Sequence, residues 1–224
     1  MSDCFVVAID GPAGAGKSTT AKAVAEKLGF ACLDSGALYR AVALLLVEAG
    51  ADPSDERAVE LLLAGARISQ SADGEQTFLN DRNVTSLLRS ARVSDAASRS
   101  SALPAVRSAL IELQRAAARG EGLVVEGRDM GTVVFPRAAL KVFLDADEDE
   151  RARRRGLELG LSGTANLEKL GAEMAERDRR DRSRKVAPLR PAEDSLVLDT
   201  TSFSLQEVID AVVKEVHSRK KFAK

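Results

Sequence analysis

The chain has 224 residues, room for one main hydrophobic core with a smaller insert or lid and too little for two full domains. Hydrophobic residues make up 45% and charged residues 30%, the balance of an ordinary globular protein, which excludes collagenous, mucin-like and wholly disordered chains. Lys and Arg number 33 against 34 Asp and Glu, so no global attraction to nucleic acid or to an anionic membrane is expected, and any basic site must be local.

In chain order, residues 5–10 form the first of five short apolar runs. The others are 31–34, 123–126, 140–145 and 196–199, and each ends in a carboxylate. Apolar runs separated by helical stretches are what a parallel sheet buried on both faces requires, so an α/β fold is expected. Apolar spacing predicts helices over 17–28, 37–49, 56–66, 103–119, 148–159, 166–184 and 205–221, the last opened by Ser204. Residues 67–85 alternate in short bursts around Asp73-Gly74 and Asn80-Asp81, which predicts a small antiparallel hairpin or three-stranded insert able to hold a substrate. Residues 150–190 carry twelve basic against seven acidic residues. The terminal HSRKKFAK is expected to be a frayed, solvated tail.

The opening MSDCFVVAIDG has acidic residues where a secretory leader needs basic and then apolar ones, and the longest mostly apolar stretch, 41–47, is far short of a membrane span. A cytoplasmic protein is expected. Cys4 and Cys32 form no metal-ligand pattern and read as small core residues, and a lone histidine, His217, argues against a histidine-based triad.

The strongest chemical signal is Gly11-Pro12-Ala13-Gly14-Ala15-Gly16-Lys17-Ser18, the pattern GxxxxGK[ST], set between the first strand and the first helix and followed by Thr19. Its glycines let backbone N–H groups turn inward around a polyphosphate, Lys17 reaches the outer phosphates, and the Ser18 hydroxyl can ligate Mg²⁺. ATP with Mg²⁺ is the expected first substrate. Three further constellations bear on the second. In Asp34-Ser35-Gly36-Ala37-Leu38-Tyr39-Arg40, at the end of the second strand, Arg40 can reach an anion beside the phosphate loop, although a helix cap with a solvated arginine would read the same way. Glu126-Gly127-Arg128-Asp129-Met130-Gly131-Thr132 sets an Arg-Asp pair between glycines at a strand end, a ligand surface or a turn with an internal ion pair. Arg177, Asp181 and Arg184 fall on one helical face at i, i+4 and i+7, where a merely solvated charged face is the competing reading.

No histidine lies near these motifs, which would trouble transfer to an alcohol. A phosphate acceptor needs no base, because near neutral pH it is largely a dianion, and the obstacle is repulsion between two polyanions. Arginines, Lys17 and Mg²⁺ address that obstacle. Arg40, Arg128 and Arg184 are expected on the acceptor phosphate. Arg151, Arg153, Arg154 and Arg155 are expected in a lid over the γ-phosphate, which makes Lys17, Arg128, Arg184, Arg154 and Arg155 the candidate catalytic set.

GPAGAGKST, LDSGALYR, EGRDMGTVVFP, KVFLDA and ERDRRDRSRKVAPL, in that order over residues 11–189, resemble bacterial cytidylate kinases. The resemblance implies a nucleoside-monophosphate kinase fold, a P-loop NTPase fold with a five-stranded parallel sheet. It implies a core at 1–60, 100–150 and 186–224, an NMP-binding insert at about 61–99, and a lid at about 150–185. It implies the reaction ATP + (d)CMP to ADP + (d)CDP in a cytoplasmic monomer without nucleic acid or membrane partners. By motif position, Ser35, Ser98, Arg107 and Asp129 resemble the pyrimidine pocket, Arg177 and Asp181 the ribose contacts, and Arg40, Arg128 and Arg184 the acceptor-phosphate contacts. The strand-two motif differs from that of adenylate kinases, which counts against AMP. UMP as acceptor, or a nucleic-acid-binding P-loop NTPase gripping backbone phosphates through 150–190, are the alternatives, the second opposed by 4% aromatic content and no Trp.

Overall fold

A computed structural model describes residues 4–161 and 163–222. Five strands, β1 (Phe5–Asp10), β2 (Ala31–Asp34), β6 (Gly122–Gly127), β7 (Leu140–Asp145) and β8 (Leu196–Asp199), form a sheet in the order β2-β6-β1-β7-β8 with every pairing parallel. The order places β1, which leads into the phosphate loop, at the centre. Alternate residues of β1 feed two cores. Val7 and Ile9 pack with Ala21 and Val24 of α1 (Lys17–Leu28) and with Val212 and Val216 of α8 (Leu205–Phe222). Val6 and Ala8 pack with Leu38 and Val42 of α2 (Ser35–Glu48), Val59 of α3 (Glu56–Ala64), and Val106 and Leu110 of α5 (Pro104–Ala116). Both faces are therefore dry, which is why these strands read as unbroken apolar runs. β8 departs from the expectation of a fully buried strand. It is the outermost strand, Val197 is 56% exposed, and Leu196 and Leu198 are only partly buried, Leu198 against the core.

The expected insert is a three-stranded antiparallel sheet, β3 (Ile68–Gln70), β4 (Thr77–Leu79) and β5 (Arg82–Asn83). Asn80 and Asp81, at φ 50° and 64°, make the two-residue turn between β4 and β5, the left-handed pair that a tight hairpin needs. Gly74, at φ 72°, lies so close to β2 that a Cβ there would stand 3.0 Å from the Cys32 carbonyl oxygen. That approach lets the Cys32 amide donate to Ala72 O at 2.8 Å, and the Gln70 carboxamide bonds both the amide and the carbonyl of Asp34, so the insert covers the free edge of β2.

The predicted helices are present with ends shifted by a few residues, and one helix was not expected. A 3₁₀ turn (Thr85–Arg89) leads into α4 (Ala91–Ser100), whose inner stripe of Val93, Ala96 and Ala97 packs on Ala41 and Leu44 of α2. α6 (Glu148–Glu158) and α7 (Thr164–Ser183) form a helical hairpin beside the phosphate loop. The expected frayed tail is corrected: α8 runs to Phe222, Arg219 donates to Ala139 O at 2.8 Å, and Lys220 Nζ lies 4.4 Å from the Phe30 ring centroid. Residues 223 and 224 lie outside the described residues.

Candidate active site

Because the sheet is parallel, β1, β2 and β6 all end at one rim, and their terminal carboxylates meet there. Asp34 accepts Ala37 N at 2.8 Å and caps α2, which starts Ser35 and Arg40 toward the rim. Asp10 accepts the Met130 and Gly131 amides at 2.8 and 2.7 Å. Glu126 accepts the Ser18 hydroxyl at 2.5 Å. Beyond the rim lies a cavity of about 600 Å³, floored by the phosphate loop and walled by α2, α4, the 126–129 segment and α7.

Ala13, Gly14, Gly16, Lys17, Ser18 and Thr19 line this cavity, while Gly11, Pro12 and Ala15 shape the loop from behind. A Cβ on Gly11, at φ 152°, would fall 2.0 Å from Leu144 O, and one on Gly14, at φ 74°, would meet Arg151 O at 2.7 Å. Neither turn tolerates a side chain. Lys17 Nζ donates to Pro12 O at 2.6 Å, and burial, together with neighbouring Arg128, pushes its ammonium below the usual lysine range. Burial and the nearby Asp34 hold the Glu126 carboxyl above the usual range.

Across from the loop stand Ser35, Arg40, Ser98, Arg107, Arg128, Asp129, Arg177, Asp181 and Arg184, all of which line the cavity. Arg107 is ion-paired with Asp129, both almost fully buried, and also reaches Tyr39 Oη at 3.3 Å. Arg128 Nε donates to Asp181 Oδ2 at 3.1 Å. Ser35 Oγ accepts from Gln114 Nε2 at 2.9 Å, which leaves its own proton for the cavity. Arg177 and Arg184 do not share a helical face as expected: α7 ends at Ser183, and Arg184 follows in extended conformation, tied by its Nε to Ala187 O at 2.8 Å. Both still face the same space, because the chain turns back there. Arg155 lines the cavity beside Glu158, whereas Arg154 turns away and is bonded to Glu150 and to the Thr200 carbonyl. Arg151 is buried under the phosphate loop with Asp178, and Arg153 pairs with Glu150 at the surface.

Several of these groups are left wanting a ligand. Ser98 Oγ, Arg177 Nε and Arg184 Nη2 are buried without a hydrogen-bond partner among the described residues. Burial and then Arg128 lower the Arg177 guanidinium to about 10. Cations that crowd and desolvate one another in this way are relieved only by an anion, and the space they face is beside the phosphate loop.

A family model described as cytidylate kinase matches residues 7–218. The cytidylate kinase of Mannheimia succiniciproducens is 46% identical over 226 residues, covering 99% of this chain and 100% of that protein. That of Pasteurella multocida is 48% identical over 93% of each chain, and that of Vibrio cholerae 48% over 96% of each. The chain belongs to the cytidylate kinase family. Phosphorylation of CMP and dCMP by ATP is the function of that family. Among solved structures, an uncharacterized protein from Eubacterium ventriosum superposes with a TM-score of 0.54 at 12% identity over 96% of this chain and 99% of that one, a likeness of fold alone.

Several residues of the site were not legible in the sequence. Glu126 was visible as one of five strand-ending carboxylates, but its bond to Ser18 was not. Ser94, Asp95 and Ala97 line the cavity from α4, and Arg180 of α7 reaches Asp95 at 3.4 Å across its mouth. The stripe Val93, Ala96, Ala97 and Ser100, at i, i+3, i+4 and i+7, carried the signal for that helix but is built of small residues.

Proposed function

We propose that the phosphate loop holds ATP and that the facing cluster holds CMP or dCMP, so that the acceptor phosphate attacks the γ-phosphorus in line. The observation that carries this reading is the set of buried, unpartnered donor atoms of Ser98, Arg177 and Arg184 facing the phosphate loop. Backbone amides of the loop and Lys17 take the donor phosphates, with Lys17 leaving the Pro12 carbonyl to do so. Arg40, Arg128 and Arg184 take the acceptor phosphate, and their charge offsets the repulsion between the two polyanions. Arg177 and Asp181 are assigned to the ribose, and Arg155 to the γ-phosphate from the 150–185 lid, while the role expected for Arg154 there would require it to leave Thr200.

The donor set at Ser18 suits Mg²⁺: a hydroxyl bonded to a buried carboxylate offers hard oxygen ligands. Among the described residues no cluster of three or more His, Cys, Asp or Glu could hold a metal by itself, so Ser18, with Glu126 behind it, would share the ion with nucleotide phosphates and water. When bound, Mg²⁺ neutralises charge on the donor phosphates. On this reading the enzyme acts as a monomer in the cytoplasm on small molecules. No described helix is long and apolar enough to cross a membrane.

For the base, cytosine presents an N4 amino donor beside N3 and O2 acceptors, which suits a carboxylate next to a guanidinium and a serine. Asp129, Arg107 and Ser98 supply these groups. Uracil would set its O4 against the Asp129 carboxylate with no proton between them, a mismatch of about 1 to 3 kcal/mol. The test is ADP release with a panel of CMP, dCMP, UMP and AMP, in wild type and Asp129→Ala. The expected order is CMP and dCMP first, UMP well behind and AMP inactive. Asp129→Ala should lower kcat/KM for CMP more than for UMP, so the ratio isolates recognition from the destabilisation of leaving Arg107 unpaired. Equal losses for both acceptors would refute the assignment of base recognition to Asp129.

A further inference from the structure

Asp10 is 4% exposed and ends the central strand, where its backbone is paired on one side with Gly127 of β6 and on the other with Phe143 of β7. Its two carboxylate oxygens do different work: Oδ1 accepts the Met130 amide and Oδ2 the Gly131 amide. These amides open a wide turn (Met130–Val134) of π type, whose first N–H groups have no partner within the turn. On the other side, the Asp129 carbonyl accepts Val133 N at 2.9 Å and Val134 N at 3.2 Å. The segment is thus pinned from both directions immediately after Arg128 and Asp129, the two side chains it sends into the cavity. Gly131 packs closely there, since a Cβ would stand 3.2 Å from Lys141 Cγ and Cδ and 3.4 Å from Asp10 Oδ2. Asp10 is also the residue before Gly11. One side chain therefore joins the start of the phosphate loop to the segment facing it.

We propose that Asp10 is a positioning residue for acceptor recognition: by holding the Met130 and Gly131 amides it sets the direction in which Arg128 and Asp129 enter the cavity, in register with the phosphate loop. The proposal rests on the reading of Arg128 and Asp129 as acceptor-binding groups. A carboxylate is needed because two adjacent N–H donors require two acceptor oxygens. An asparagine offers one oxygen and turns an NH₂ group toward the second amide. The phosphate loop has its own ties, the Ala13 amide donating to Asp178 at 3.2 Å and Arg151 donating to the Ala13 carbonyl at 3.1 Å, so the effect is directed at the acceptor.

The test is steady-state kinetics of Asp10→Asn and Gly131→Ala with CMP, UMP and ATP as varied substrates, alongside Arg128→Ala. The variant Gly131→Ala pushes the same turn from outside with Asp10 intact. For Asp10→Asn, KM for CMP is expected to rise about tenfold and the preference for CMP over UMP to shrink, with KM for ATP within about twofold of wild type. Gly131→Ala should move the same parameters in the same direction. Equal rises in KM for CMP and ATP, or a lowered Tm with both KM values and the CMP preference unchanged, would overturn the proposal. If Asp10→Asn does not fold, Gly131→Ala decides alone. An Arg128→Ala enzyme with unchanged KM for CMP would overturn the acceptor reading itself. A raised KM there, with neither Asp10→Asn nor Gly131→Ala affecting CMP, would overturn the role of Asp10 only.

Discussion

Lys17 is almost fully buried, its ammonium bonded to a carbonyl of its own loop and flanked by Arg128. A cation held there at a cost in solvation makes sense only if an anion arrives to meet it. Lys17→Ala should therefore lower kcat by about two to four orders of magnitude while the circular dichroism spectrum and Tm are retained. Activity near wild type would remove the phosphate loop from the mechanism. Asp10 makes a different kind of prediction. Burial first, against the Gly131 and Met130 amides, raises its carboxyl from 3.8 to about 6. Between those values the folded chain keeps a proton that the unfolded chain has released, so this group favours the folded state at low pH and loses that contribution as pH rises through about 6. Relative to Asp10→Asn, the unliganded wild type should lose up to about 3 kcal/mol between pH 4 and pH 7. Chemical denaturation at a series of pH values measures it, and parallel profiles for the two proteins would show that Asp10 does not titrate there.

At the scale of elements, the α6–α7 hairpin is fastened to the phosphate loop at its base. Asp178 accepts Ala13 N at 3.2 Å and is ion-paired with Arg151, which in turn donates to Ala13 O at 3.1 Å. Both charges are about 3% exposed, so neither has water as a substitute partner. Asp178→Asn leaves the buried Arg151 charge with only the exposed Glu148 carboxylate, 3.9 Å away, and should lower stability by about 3 kcal/mol. Because the lost contact is to the loop, KM for ATP should rise more than KM for CMP. An unchanged Tm would mean that the pair is not the fastening described. Farther from the base the hairpin is solvated, with Leu157 67% exposed and Arg153 and Arg155 paired only to neighbours on α6. A hairpin fastened at the phosphate loop and solvated along α6 is what the proposed lid would need in order to move on binding.

For the whole molecule, a net charge of −1 coexists with a concentrated basic cavity, because carboxylates are spread through the rest of the surface and through α6 and α7 themselves. An extended nucleic acid would meet that mixed surface, whereas a mononucleotide enters the cavity and meets its buried arginines. Thermal denaturation at low salt should show Tm raised by ADP, by CMP and further by both together, with no rise from a single-stranded oligonucleotide. A salt-sensitive rise with the oligonucleotide would favour the nucleic-acid-binding alternative. Joint stabilisation is expected because ADP would occupy the phosphate loop while CMP satisfies the unpartnered donors of Ser98, Arg177 and Arg184 across from it.

How much of this was legible in the chain follows from the range of the interactions. The phosphate loop, the parallel strands and most helices rest on local chemistry: glycines that permit inward-turned amides, apolar runs buried on two faces, and apolar residues repeating along one side of a helix. These patterns lie within a few residues of one another, so the sequence alone carried them, and the order of motifs also carried the family. What it could not carry is which distant groups meet. α4 was hidden because its inner stripe is alanine, valine and serine, whose burial depends on α2 lying against it. Arg184 was expected on a helix that stops one residue short, and Arg154 was expected over the cavity but is claimed by a carbonyl 46 residues away. The five strand-ending carboxylates were plain in the sequence, and so was the local cap that Asp34 makes on α2, but the uses of two others arose only when the parallel sheet brought their ends to one rim: a bond to Ser18 for Glu126, and two amides of another loop for Asp10. A buried carboxylate must find donors, and which donors it finds is decided by packing between segments more than 100 residues apart, which no local pattern encodes.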